Sequence, residues 1–157
     1  WLITMVKSDQ FISDRIIWRA EQHEFPYETA FLYSKLPESE KQIYDQLAHS
    51  NEIGIPVLFF KANGHKWTIL GTRKVISGTM DNYVTIDYSQ IEDTNPGGIP
   101  FPSDDEDTDD EIDKEALNEL GVKEFNGKES SLCTMNGPEF YMLYNILLVL
   151  MNMSREN

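Results

Sequence analysis

Apolar residues recur with one period over the first 50 positions and with another beyond them. Phe11, Ile12, Ile16, Ile17 and Ala20 are spaced by three and four, while Asp14, Arg15, Arg19 and Glu21 take the other face. That spacing predicts an amphipathic helix capped by Ser8 or Ser13 and stopped by Pro26. Residues 27–36 are expected to add a helical turn or two through Ala30, Phe31 and Leu32. Pro37 then opens a third helix, with Glu38 and Glu40 near the positive end of its dipole. Ile43, Tyr44 and Leu47 form its inward stripe.

From residue 53 the period shortens to two. Residues 55–61 are an apolar, β-branched and aromatic run closed by Asn63-Gly64, a dipeptide suited to the positive φ of a hairpin turn. Residues 66–70 and 73–77 flank Gly71-Thr72, and glycine in a strand pattern marks a bend, a bulge or a close backbone approach. Asp81-Asn82 signals a further turn. Tyr83, Thr85 and Asp87 alternate with Val84, Ile86 and Tyr88, so one side is expected in the core and the other in water. Pro96-Gly97-Gly98 begins a stretch without periodicity, after which residues 115–120 predict a helical turn ended by Gly121. Residues 122–125 and 130–135 read as two more strands about Asn126-Gly127.

The last element is the most sharply written. Asn136 is placed as N-cap, Pro138 near the first helical position and Glu139 in the first turn. Phe140, Leu143, Tyr144, Leu147, Leu148 and Met151 follow on one wide face. At roughly 1.5 to 3 kcal/mol per large side chain removed from water, this helix is the strongest single contributor to the fold. The pattern defines an α+β chain with antiparallel strands, divided into a helical extension at 1–52 and a β domain at 53–153 that carries an insertion at 95–121.

A chain of 157 residues suits one core, and 40% apolar residues exceed what a disordered chain carries. Its net charge of −14 is uneven. Between residues 104 and 115, nine Asp or Glu face the single Lys114. Nucleic acid is a poor ligand for such a surface, because a polyanion needs Lys and Arg to replace its counterions. The expected partner is a basic protein, and Asp104, Asp105, Asp107, Asp109, Asp110 and Glu111 are the expected contact residues. Solubility alone also accounts for acidity.

Catalytic and metal motifs are poorly matched. Asp105, Asp107, Asp109, Glu111, Ile112 and Asp113 imitate an EF-hand loop, but Asp110 stands where glycine makes the turn and Ala116 where a bidentate Glu closes the shell. His23, His49 and His65 are scattered, and Cys133 has neither a disulfide partner nor a paired zinc-ligand cysteine. Ser130, Ser131 and Cys133 lack the strained turn that exposes a serine nucleophile. Lys61, His65, Lys66, Arg73 and Lys74 make one modest basic cluster, more simply read as the solvated face of strands than as an anionic head-group site. The expectation is a protein without catalytic residues, cofactor or metal. The longest apolar stretch, residues 146–151, is far short of the about 20 a membrane span needs. No basic start with an apolar run marks a signal peptide, so the cytoplasm is the expected compartment. The chain opens at Trp1 without an initiating Met, which leaves an upstream segment open.

The runs WTILGTRKVI at residues 67–76 and YVTIDYSQI at residues 83–91, the string of short strands and the closing helix after Gly137-Pro138 together resemble the bacterial PH-like domains. The likeness covers roughly residues 53–153. It implies a bent antiparallel sheet or partly open barrel sealed by the C-terminal helix, used as a binding scaffold without catalytic residues. The acidic insertion at 95–121 is longer than that family's hairpin connection requires. Two functions follow as expectations. One is a protein-binding domain, concretely an immunity-type protein that neutralises a basic bacterial toxin. The other is a structural or regulatory domain of a longer protein in which the acid run is only a solvated loop.

Overall fold

The computed structural model describes residues 7–101 and 117–155. Helix α1, Asp9–Glu21, starts where Ser8 accepts the Phe11 N–H at 3.1 Å, so Ser8 and not Ser13 is the cap. Ser13 lies inside the helix and is buried with Ile12, Ile16 and Ala20. Phe11, expected on the inner face, is turned to solvent. Ala30–Leu32, read as helical, is instead strand β1, because Phe31 finds a backbone partner in Phe59 of the next strand. A 3-10 turn at Tyr33–Lys35 follows, then helix α2, Glu38–Ser50, with Pro37 at its cap position. Ala48 is buried, Tyr44 and Leu47 are half-buried, and Ile43 is exposed.

Strands β2 (Pro56–Lys61), β3 (Trp67–Gly71), β4 (Lys74–Gly78) and β5 (Tyr83–Asp87) join β1 in an antiparallel sheet ordered β1-β2-β3-β4-β5. Phe59, Ile69 and Ile76 make a cross-strand row under α2, with Tyr33, Leu36, Ala48, Ile53 and Trp67 around it. Leu58, Leu70, Val75 and Ile86 make the opposite row, which packs with α1 and the C-terminal helix. Both faces are covered, so β3 is buried at every position and its sequence loses the alternation of a one-sided strand. At the Asn63-Gly64 turn the positive φ angles belong to Gly64 and His65, and Ala62 N–H closes a three-residue loop onto Lys66 O at 2.9 Å. The β4–β5 turn is Met80-Asp81, held by Thr79 and Asn82. Gly71 is the expected close approach: a Cβ there would lie 2.3 Å from Ile53 O.

After a 3-10 turn at Tyr88–Gln90, strands β6 (Ile91–Asn95), β7 (Glu119–Glu124) and β8 (Glu129–Cys133) form a second antiparallel sheet ordered β6-β7-β8. The charged sequence of β6 concealed it. The turn expected to end at Gly121 lies partly outside the described residues, and its Glu119 and Leu120 are in β7, which runs through Gly121. Glycine is needed there because a Cβ would stand 2.5 Å from Gly98 O.

Helix α3, Pro138–Arg155, buries Phe140, Met142, Leu143, Ile146, Leu147, Leu150 and Met151 among residues of both sheets and α1. The sheets are not joined by a backbone ladder and close no barrel among the described residues. Where they meet, Thr68 Oγ1 donates to Cys133 O at 2.5 Å and Ser77 Oγ accepts Cys133 N–H at 2.9 Å. The architecture is α+β, with two antiparallel sheets and helices packed against them. Among the described residues no helix is long and apolar enough to cross a membrane.

Candidate functional site

The six carboxylates expected to meet a partner, Asp104, Asp105, Asp107, Asp109, Asp110 and Glu111, lie outside the described residues, as does the whole EF-hand-like run. Beyond them, the described surface offers several hollows, among them two apolar grooves and one polar hollow near the candidate residues.

The largest groove forms where α1 hands over to β1. The chain leaves α1 at Gln22, takes a positive φ at Glu24 and passes through a cis Phe25-Pro26 peptide. Tyr27 and Ala30 then exchange backbone hydrogen bonds of 2.8 and 3.3 Å, and the Tyr27 hydroxyl donates to His23 O. This compact reversal lines up Phe25, Pro26, Tyr27, Phe31 and Leu32 along a groove of about 570 Å³. Phe25, Tyr27 and Leu32 are anchored on the main core, and Phe31 packs on Phe59 at 5.7 Å between centroids. Glu21 and Glu28 stand on the walls with one cation, Lys35. Burial first, then the charges of Glu139 and Glu24, push the Tyr27 phenol above its ordinary value. An apolar floor is thus fringed by carboxylates.

Reading for helical periodicity missed this site. Its signal is compositional: Phe25, Pro26, Tyr27, Phe31 and Leu32 crowd into eight positions beside Glu21, Glu24 and Glu28 with no helical or strand repeat.

A second groove of about 410 Å³ lies on the α2 side of the sheet, with Tyr44, Phe59, Trp67 and Met80 on its walls. Tyr44 meets Trp67 edge-on at 5.3 Å. Trp67 also faces Tyr83 at 6.4 Å across the row where Gly78 contributes no side chain. The basic cluster divides around this groove. Lys61, His65 and Lys66 line it, but Lys66 pairs with Glu119 at 3.6 Å and Lys61 lies over the Phe31 ring.

Arg73 belongs to the polar hollow of about 330 Å³, where Ile12, Thr72, Asp87 and Leu150 are its neighbours. Its Nε donates to Asp9 at 2.6 Å, and Thr72 Oγ1 donates to the same carboxylate at 2.8 Å. The Thr72 bond, followed by that of Arg73, holds Asp9 below the usual carboxylate range despite some desolvation.

Among the described residues no three His, Cys, Asp or Glu side chains converge as a metal site requires. His23 is held below its ordinary value by burial and then by Arg19. Cys133 is buried at the sheet junction, and burial pushes its thiol up, away from the reactive thiolate. Comparison with protein-family models, curated proteins and solved structures found no match to this chain.

Proposed function

We propose that the chain is a non-enzymatic protein-binding domain that captures a basic partner, most concretely as an immunity-type protein neutralising a cationic toxin. The observation that carries this reading is the groove at Phe25, Pro26, Tyr27, Phe31 and Leu32 with Glu21 and Glu28 on its walls. An apolar side chain flanked by Lys or Arg matches such a site in both shape and charge, the arrangement that gives an interface its anchor and its steering. The acid run at 104–115 adds long-range attraction for the same partner class. A PH-like scaffold accords with this role. Its support is the pair of antiparallel sheets and the C-terminal helix buried between them.

The test is affinity capture from the chain's own cellular extract, followed by mass spectrometry. The parent should retain a basic protein that salt of about 0.5 M releases. Glu21→Lys with Glu28→Lys should abolish retention, and replacing Asp104, Asp105, Asp107, Asp109, Asp110 and Glu111 by Asn or Gln should slow association and flatten its salt dependence. Capture of neutral or acidic proteins only, or capture indifferent to both variants, overturns the reading.

A further inference from the structure

The far border of the five-stranded sheet has a different character. β5 is its last strand, paired with β4 on one side and with no described strand on the other. Thr79 and Asn82 exchange both backbone hydrogen bonds, at 2.9 and 3.3 Å. Counting by twos along the register from that pair, Val84 and Ile86 direct their backbone groups to Ser77 and Val75 of β4. Tyr83, Thr85 and Asp87 therefore turn their N–H and C=O groups outward.

Three of the usual protections of an edge are missing here. β5 holds no Lys, no Pro and no register shift. The opposite border is guarded: Tyr27 occupies the outward backbone groups of Ala30, and the chain bends into a 3-10 turn directly after Leu32.

An apolar groove accompanies the open border. Ile43 and Leu47 of α2, Met80 of the turn and Tyr83 line a shallow hollow of about 260 Å³. Ile43 is 54% exposed and Met80 44%. Asn51 fastens the end of α2 beside the strand, accepting from Thr85 Oγ1 at 3.0 Å and donating to the Tyr83 hydroxyl at 3.4 Å. A strand laid along β5 would turn every second side chain to the α2 side, where this hollow lies beside Tyr83, which is how edge-binding domains combine backbone affinity with side-chain selectivity.

We infer that β5 and the Ile43–Met80 hollow receive an extended segment of a partner protein, with apolar residues at alternate positions and Lys or Arg between them. Charge selects this occupant. Residues 79–90 contain Asp81 and Asp87 and no cation, and the one described cation in register with them is Lys74 of β4, opposite Asp87, so carboxylates stay in excess along this border. A second copy would bring the same four carboxylates together under a net charge of −14 per chain. This surface lies across the sheet from the groove at β1, and each fails or stands without the other.

The probe is a short synthetic peptide alternating lysine and valine, followed by amide NMR on the full chain. Binding should slow exchange of the Tyr83, Thr85 and Asp87 amides, and a glutamate–valine peptide should not bind. Thr85→Pro removes one outward donor while leaving the ladder donors of Val84 and Ile86, so it should weaken binding about tenfold or more. Thr85→Val, which loses the same hydroxyl bond to Asn51 but retains the N–H, should bind more tightly than Thr85→Pro. Ile43→Asn, an exposed change on α2 that adds no charge, should weaken binding independently of any effect of proline on folding. Equal affinity of the parent, Thr85→Pro and Ile43→Asn, protection elsewhere, or equal binding of the acidic peptide overturns the inference. Dimerisation of the free chain through β5, abolished by Thr85→Pro, overturns the choice of occupant.

Discussion

Thr68 and Ser77 serve Cys133 as the backbone of a neighbouring strand would, one hydroxyl donating to its carbonyl and the other accepting its N–H. Both are buried, so these bonds are shielded from solvent. Ser77→Ala leaves the Cys133 N–H without its partner, so it is expected to lower stability by about 1–3 kcal/mol in denaturant unfolding. A much smaller loss would mean that the sheet junction rests on α3 alone. Asp9 acts at the other end of the sheet, where its carboxylate ties α1 to Thr72 and Arg73. Its folded pKa lies below the ordinary value, so the charged form favours folding. That contribution is complete above the unfolded pKa of about 3.9 and is lost as pH falls through the lower folded value. Asp9→Asn should therefore flatten the fall of the melting temperature below about pH 4. An unchanged acid limb would remove Asp9 from the account.

Among the elements, α3 carries the most apolar surface, and Leu143 and Leu147 are both fully buried. Leu147→Asp should abolish cooperative unfolding, seen as loss of the calorimetric transition, because a charge would be forced into the apolar cluster around Leu147. That helix was legible in the sequence because it obeys one period from cap to end. The β2–β3–β4 meander and the β7–β8 hairpin were legible for similar reasons, since turns are local chemistry, while the cap was legible only as Ser8 or Ser13. β1 was not: three residues have no measurable period, and Ala30–Leu32 becomes a strand only when Phe59 is alongside. β6 was hidden because Glu92 and Asp93 face solvent at a sheet edge, where polar residues cost nothing. The groove at β1 escaped for the same reason, being made by a chain reversal and not by any repeat. The acid run was conspicuous, but charge density specifies no geometry.

At the scale of the molecule, charge is the quantity furthest from balance. A net −14 repels itself in the compact state, and most of the excess sits between residues 104 and 115. Added salt should therefore raise the melting temperature, and neutralising the six nominated carboxylates should remove much of that gain; an equal salt response in both proteins would locate the repulsion elsewhere. The two borders of the large sheet have a consequence for growth. Continuous stacking of strands needs a receptive rim at each end of the unit, as in fibres. Here the turn through Tyr27 has already occupied one rim, so addition at β5 terminates after a single event. A partner strand laid on β5 therefore leaves the large sheet, among the described residues, no second open rim from which a filament would propagate.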